Sequence, residues 1–185
     1  MSRRMMCLLI PDFPLAARIR SEPALSQKPV AVLKTEGAAS SIIAVSSDAR
    51  RRGIRMGHSL SQARALFPEV IAKPRDRASE QSAQEALLEV ALGLSPIIEN
   101  AESGCVYLDV RRVRDESALL KEALSASAAM GLPARAAVAA GRVTARIAAR
   151  RAEEVPAIIP EGGDAAFLAP LSLATLSPLP PCSIG

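Results

Sequence analysis

Aromatic side chains are almost missing from this chain of 185 residues, which has one tyrosine, three phenylalanines and no tryptophan. The core must therefore consist mainly of Ala, Val, Leu and Ile side chains. Stacking of nucleic acid bases on aromatic rings can contribute little to any binding surface. No apolar run approaches the ~18 residues of a membrane span, and Pro11 and Asp12 end the short apolar run near the N-terminus. We therefore expect a cytoplasmic protein with no membrane partner.

Histidine and cysteine are also scarce. His58 is the single histidine, and Cys7, Cys105 and Cys182 are far apart in the sequence. They are too few and too scattered for a disulfide framework or a zinc site. The sequence therefore predicts no cofactor or metal held by Cys and His. Cys105 is interpreted as a core residue, since no histidine is near it in the sequence to activate it.

Arginine, in contrast, is abundant. It accounts for 19 of the 23 basic residues, and the formal net charge is +4. Because guanidinium groups form bidentate contacts with phosphates, nucleic acid is the natural partner to test. A bias in the coding sequence toward Ala and Arg is the alternative explanation of this composition.

The hydrophobic pattern predicts an α/β (α+β) fold. Strands are expected at 5–10, 29–34, 41–46, 70–73, 96–100, 105–110, 134–140 and 157–159, and helices at 12–20, 59–66, 75–94, 115–130 and 142–154. Without the segment 26–74, this order is that of a ferredoxin-like split βαβ arrangement. We predict a discontinuous outer domain of residues 1–25 and 75–165, an inserted domain of residues 26–74, and a Pro-rich tail of residues 166–185.

Four segments carry a recognisable pattern: 7–17 (CLLIPDFPLAA), 28–32 (KPVAV), 42–57 and 105–110 (CVYLDV). Together they resemble the palm and fingers of Y-family (UmuC/DinB-like) translesion DNA polymerases, and residues 137–149 resemble the palm strand and helix that follow. The order and spacing of these segments carry the resemblance, which covers about residues 5–170. It implies that the outer domain is a palm, that the insert is the fingers, and that the tail lies where a thumb would begin.

The resemblance also implies two-metal phosphoryl transfer, in which three carboxylates hold two Mg²⁺ ions. At the three matching positions this chain has Ile10, Gly104 and Cys105. Two dications about 4 Å apart, at an effective dielectric constant near 20, repel by roughly 16 kcal/mol, which these uncharged residues cannot offset. Asp12 and Asp109 remain nearby, and we interpret Asp12 as a helix N-cap and Asp109 as structural. Catalysis is therefore not expected.

Other positions also lack the residues with which active members of the family contact the nucleotide. The resemblance places Leu15 at the aromatic gate against ribonucleotides, Ser47 at a tyrosine that touches the triphosphate, and Glu153 at a palm lysine. A Y-family body without its metal ligands resembles the ImuB subgroup, as do the segments LLIPDFPLAA and FLAPL. That resemblance implies a non-catalytic, DNA-binding adaptor in damage-induced (SOS) translesion synthesis and DNA repair.

The ImuB resemblance also implies protein partners. Full-length relatives would bridge the sliding clamp, an error-prone replicative-type polymerase and a RecA-like accessory protein. Those contacts are expected mainly beyond the palm, and the sequence given ends at Gly185, where a thumb should begin. We therefore expect either a fragment or a naturally truncated relative.

Four arginines are the candidate DNA or phosphate contacts. Arg142, Arg146 and Arg150 recur every four residues, which places them on one face of a predicted helix, where they could follow a phosphate backbone. A solvated face partly neutralised by Glu153 and Glu154 is the alternative. Arg50 is expected to face the nucleotide cleft. Surface positions are expected for Arg51, Arg52, Arg55, Arg111, Arg112 and Arg114.

Two other functions stay open at this point. One is an active Y-family polymerase whose metal ligands are misaligned here by a few residues. The other is a degenerate fragment with no role on DNA.

Overall fold

The computed structural model describes residues 3–152 and 155–172, which form two β-sheets and the helices that cover them. The strands are β1 (Met5–Leu9), β2 (Val30–Leu33), β3 (Ile42–Val45), β4 (Ile71–Pro74), β5 (Ile98–Glu102), β6 (Cys105–Asp109), β7 (Arg135–Ala139) and β8 (Ala157–Ile158). The helices are α1 (Phe13–Ser21), α2 (Ser47–Arg51), α3 (Leu60–Leu66), α4 (Arg77–Leu94), α5 (Glu116–Ala129), α6 (Arg142–Arg151) and α7 (Asp164–Leu168), with a short 3-10 helix at Pro23–Leu25.

The larger sheet has the strand order β5-β6-β1-β7-β8. Strand β1 is central and runs antiparallel to both β6 and β7, while β8 adds a parallel edge beside β7. The first four strands of this order form the split βαβ arrangement of ferredoxin-like folds, in which one strand of each crossover unit lies between the two strands of the other. The predicted fold class is confirmed.

The two faces of the larger sheet bury different sets of side chains, because successive residues of a strand point to opposite faces. Met6, Leu8 and Val106 lie on the face that α4 and α5 cover. Cys7 and Cys105 lie on the opposite face, which helix α6 covers with its alanines. We call this second surface the α6 face.

The smaller sheet has the order β3-β2-β4, with β2 antiparallel to β3 and parallel to β4. Its strands all lie within the segment predicted as the fingers insert, although the domain boundaries themselves stay a prediction. Two contacts join the end of β4 to α1: the Arg18 Nη2 atom donates to the Pro74 carbonyl (2.8 Å), and Lys73 donates to Glu22 (2.7 Å). The small sheet is thereby fixed to the first helix of the larger one.

A buried arginine connects the central strand to two later elements. Arg4 is only 6% exposed. Its Nε and Nη2 atoms donate to the Glu116 carboxylate (2.7 and 2.5 Å), and its Nη1 atom donates to the Ile159 carbonyl (2.8 Å). The hydrogen bond with Glu116 raises the pKa of Arg4. This arrangement ties β1 to the start of α5 and to the segment after β8.

Several element predictions need correction. The sequence did not predict α2, which begins because the Ser46 side chain accepts a hydrogen bond from the Ala49 N–H (3.2 Å). It also did not predict α7. Helix α6 ends at Arg151, and Glu153 and Glu154 lie outside the described residues, as does most of the predicted tail. Within the described part of the chain, no helix is both long and apolar enough to span a membrane.

Candidate functional site

Ile10, Gly104 and Cys105 lie together at one end of the larger sheet. Ile10 directly follows β1, and its N–H donates to the Gly104 carbonyl (2.8 Å). Cys105 begins β6 and pairs with Leu9. The three positions that the resemblance matches to metal-binding carboxylates are therefore neighbours in space.

Gly104 has no room for a side chain. Its φ angle is +77°, a left-handed conformation that favours glycine, and a Cβ atom built there would lie 2.7 Å from the Cγ atom of Phe13. The Phe13 ring is itself buried in the core. A carboxylate at this position would need both the backbone and the ring to move.

Ile10 and Cys105 are equally unsuited to binding Mg²⁺, which requires oxygen ligands. Ile10 is 2% exposed and belongs to the apolar core, and Cys105 is fully buried. Among the described residues, no group of three or more His, Cys, Asp or Glu side chains could hold a metal ion. The donor set present here does not fit the two-metal site of the active family.

The cysteines are not as scattered as the sequence indicates. The Sγ atoms of Cys7 and Cys105 are 3.7 Å apart. The residues are 98 positions apart in the chain, but the register pairs Cys7 with Tyr107 and Leu9 with Cys105, which makes the two cysteines diagonal neighbours on the α6 face. Cys182 lies outside the described residues.

Asp12 does not act as the predicted side-chain N-cap. It precedes α1 but has a left-handed backbone (φ 47°, ψ 45°), and its carboxylate makes no capping hydrogen bond. The carboxylate instead accepts from the Nη2 atom of Arg50 (2.9 Å). Asp12 is therefore the N-cap residue by position, as predicted, and its carbonyl accepts from the Leu15 and Ala16 N–H groups, but its side chain contacts α2 and does not cap α1.

Asp109 has a local role. It accepts from the Nε atom of Arg111 (2.8 Å) and from the Arg111 backbone N–H (3.1 Å). The hydrogen bond from the Arg111 side chain is the main reason that the pKa of Asp109 is lowered. Asp109 therefore stabilises the turn after β6, which agrees with the structural interpretation.

An open cleft lies where α1 and α2 approach each other, and it is basic. It is lined by Asp12, Ser47, Arg50, Arg51 and Arg135. Arg50 lines this cleft, and its position in a nucleotide cleft stays a prediction. Arg51, expected at the surface, has a 71% exposed side chain but also lines the cleft. The sequence analysis missed Arg135, whose strand register opposite Leu9 brings it to the same end of the sheet.

The three candidate arginines of α6 are on one helix face, but two of them have carboxylate partners. Arg142 donates to Glu99 (2.6 Å), with both side chains about 40% exposed. Arg146 forms an ion pair with Glu102 that lacks hydrogen-bond alignment, and its side chain is only 22% exposed. Arg150 is half-buried. The expected neutralising residues were Glu153 and Glu154, whereas the carboxylates described here come from β5.

Two of the other family positions are described. Leu15 is buried in a cluster with Val30 and Val32, where it joins α1 to the smaller sheet. Ser47 lines the basic cleft. Neither offers the aromatic surface that the resemblance places there in active polymerases.

Comparison with known proteins agrees with this architecture. Residues 9–150 match the model of the impB/mucB/samB family. The chain is 29% identical over 184 residues to DNA polymerase IV of Dehalococcoides mccartyi (strain CBDB1), an alignment that covers 94% of this chain and 46% of that relative. It is 31% identical over 128 residues to Protein ImuB of Caulobacter vibrioides (strain NA1000 / CB15N), covering 67% of this chain and 28% of that protein. The chain spans less than half the length of these relatives.

Solved structures show the same fold. An insertion ternary complex of Dbh DNA polymerase superposes with a TM-score of 0.81 at 17% identity, covering 93% of this chain and 53% of that one. DinB from Sulfolobus solfataricus gives a TM-score of 0.80 at 17% identity, covering 96% of this chain and 54% of that one. A ferredoxin-like palm sheet joined to a small three-stranded sheet thus defines a Y-family polymerase-like protein. The chain belongs to the impB/mucB/samB (UmuC/DinB) family.

Proposed function

We propose that this chain is a non-catalytic Y-family polymerase-like domain that binds DNA as part of an adaptor in damage-induced translesion synthesis. The observation that carries the proposal is the packing of Phe13 against Gly104. Together with the buried Ile10 and Cys105 side chains, it leaves the three positions without a carboxylate and one of them without space for any side chain.

The two aspartates that remain in the matching segments support the same proposal, and Asp109 is also remote from the three positions, because it lies opposite Met5 at the other end of β6. Asp12 is paired with Arg50, and Asp109 with Arg111. An active polymerase would have to free these carboxylates from guanidinium partners before they could bind Mg²⁺. The similarity to a DNA polymerase IV over most of the chain favours the active alternative, and the experiment below separates the two.

DNA would contact this chain through its arginines and not through aromatic stacking. The basic cleft presents Arg50, Arg51 and Arg135, and α6 presents Arg142 with a 43% exposed side chain. The Arg142–Glu99 pair is exposed, and exposed pairs are worth at most about 1 kcal/mol, so a phosphate can compete with Glu99 for the guanidinium. The adaptor role, with the sliding clamp, the error-prone polymerase and the RecA-like protein as partners, is proposed for the whole protein.

The first experiment tests catalysis. The purified chain is titrated with Mg²⁺ by calorimetry, with and without primed DNA and a nucleoside triphosphate. We expect no saturable Mg²⁺ binding beyond that of the DNA and the nucleotide, which bind Mg²⁺ themselves and are titrated separately without the protein. Saturable binding that Asp12→Asn or Asp109→Asn abolishes would contradict the proposal and favour an active polymerase.

The second experiment tests DNA binding by fluorescence anisotropy on a labelled duplex. If three to five phosphates are contacted, a log–log plot of the association constant against salt concentration has a slope of roughly −3 to −4.5. Arg142→Ala should weaken binding on any sequence. Arg77→Ala is the matched control, because Arg77 is exposed on α4, on the opposite side of the sheet from α6. A slope near zero, or equal effects of the two variants, would favour a fragment with no role on DNA.

A further inference from the structure

The α6 face buries two thiols that the proposed function does not use. Cys7 and Cys105 are both fully buried and both free, with their Sγ atoms 3.7 Å apart. They come from adjacent antiparallel strands at the centre of the sheet. Two nucleophilic sulfur atoms within reach of each other are the reactants of a disulfide.

We propose that Cys7 and Cys105 form a redox-active dithiol, which hydrogen peroxide or an organic hydroperoxide oxidises to an intramolecular disulfide. A disulfide has an S–S distance near 2.05 Å, so the sulfur atoms must approach by about 1.7 Å. Rotation of the two side chains and a small shift between β1 and β6 supply this movement.

The oxidation needs one peroxide molecule and no other reactant. The Cys105 thiolate attacks one peroxide oxygen, the O–O bond breaks, and Cys105 becomes a sulfenic acid; the other oxygen takes up the proton that Cys105 lost and leaves as water, or as an alcohol when the oxidant is an organic hydroperoxide. The Cys7 sulfur then attacks the sulfenic sulfur, the S–O bond breaks, and a water molecule leaves. The two thiols lose two electrons and two protons, and the peroxide accepts both.

Charged neighbours distinguish the two thiols. The pKa of Cys105 is lowered, first by its hydrogen bond with Cys7, which can stabilise a Cys105 thiolate, and further by the nearby guanidinium of Arg146. The pKa of Cys7 is raised, because its deprotonation would forfeit that hydrogen bond and because it is buried. Glu102 opposes ionisation of both thiols. Because the pKa is lowered for Cys105 and raised for Cys7, Cys105 is the thiol that reacts with the peroxide first, and Cys7 then attacks the sulfenic acid.

Access to the pair requires local opening of its cover. Helix α6 covers this face, and Phe167 of α7 packs against the same cluster. Helix α7 has five residues and no buried side chain, and two hydrogen bonds from the Ala140 and Gly141 N–H groups to Asp164 hold its first residue, so few contacts have to break for α7 to open. The reaction should therefore be slow in the folded protein, and Phe167→Ala should accelerate it.

The test uses the full chain with Cys182→Ser, so that a disulfide within one chain has a single possible pairing. The folded protein is treated with peroxide at concentrations that leave its circular dichroism unchanged, blocked with a thiol reagent, digested and analysed by mass spectrometry. We expect a Cys7–Cys105 cross-linked peptide and loss of both free thiols. Dithiothreitol should reverse both. The unaltered chain should give the same peptide.

The disulfide would join residues that are 98 positions apart in the chain. It should therefore also raise the midpoint of thermal unfolding by about 4–16 °C, because it restricts the unfolded chain. In the control variant Cys7→Ala, Cys105 should oxidise beyond the sulfenic acid without any cross-link or rise in the midpoint. Retention of both thiols in the folded protein would overturn the proposal, as would a cross-link that forms only in urea.

Discussion

The ring of Phe13 occupies the space that a side chain on Gly104 would need. The two residues are brought together because Phe13 begins α1 just after β1, while Gly104 lies in the turn that precedes β6. A Cβ atom on Gly104 would be 2.7–2.8 Å from three atoms of Phe13. An acidic side chain at position 104 would therefore require repacking of Phe13, so introducing the acid alone does not build a metal site.

Gly104→Asp should destabilise the protein by about 2–5 kcal/mol, because it combines a left-handed backbone with overpacking. Urea denaturation followed by circular dichroism measures the effect. Gly162→Asp is the matched control: Gly162 has a φ angle of +75° and nothing within 4 Å of its Cβ position, so it reports the backbone cost alone. The double variant Phe13→Ala/Gly104→Asp should lose less stability than the sum of its single changes. If Gly104→Asp and Gly162→Asp lost the same unfolding free energy, the Phe13 ring would have moved aside at no measurable cost.

Arg4→Ala should cost about 2–4 kcal/mol of unfolding free energy, because it leaves the Glu116 carboxylate without its bidentate partner and the Ile159 carbonyl without a donor. Thermal and urea unfolding give the measurement. Arg3→Ala, one residue away at an exposed position, should change stability by less than about 0.5 kcal/mol. Similar effects of the two variants would mean that Arg4 contributes no more than a surface charge.

Asp76 caps α4 and should make stability fall in acid. Its carboxylate accepts from Ser79 Oγ (2.7 Å) and from the Ala78 and Ser79 N–H groups, and the bond from the Ser79 side chain is the main cause of its lowered pKa. A folded-state pKa below the unfolded value means that the contribution is present above the unfolded pKa and is lost as pH falls through the folded pKa.

Asp76→Asn keeps a capping oxygen and removes the titration. Between about pH 6 and about pH 2.5, it should therefore lose less unfolding free energy than the parent chain. Asp76→Ala should instead cost about 1 kcal/mol at neutral pH by removing the cap. If Asp76→Asn and the parent show the same dependence on pH, the lowered pKa makes no contribution to folding.

The Asp12–Arg50 pair should contribute little to stability. The side chains are 29% and 50% exposed, and double-mutant cycles of such pairs give about 0.2–1 kcal/mol. A cycle of Asp12→Ala, Arg50→Ala and the double variant, followed by urea denaturation, measures the coupling. Arg50→Ala would then serve as a folded variant for the DNA-binding experiment. A coupling well above about 1 kcal/mol would instead make this pair a structural contact between α1 and α2.

Local sequence signals predicted most of the fold. The capping serine of α3 and the periodicity of α4 predicted those helices, and the turn before Cys105 placed the β5–β6 hairpin. Helix α2 was missed because five residues are too few for a periodic pattern. The left-handed backbone of Asp12 was missed because residues other than glycine rarely adopt a positive φ angle, so the sequence does not indicate it.

The candidate site was less predictable, because its decisive contacts are non-local. Nothing near Cys7 in the sequence indicates Cys105, and nothing near Arg142 indicates Glu99. Both pairs depend on strand order and register. Arg135 was missed for the same reason, since it reaches the cleft only through its pairing with Leu9.

The central position of β1 has a consequence for synthesis of the chain. Met5 pairs with Asp109 on one side and Ala139 on the other, so β1 leaves the ribosome well before either of the strands that it pairs with. Its apolar residues stay exposed during that interval, in a topology dominated by long-range pairings that form slowly. Nascent chains that stall before β6 should therefore be targets for chaperones and proteases.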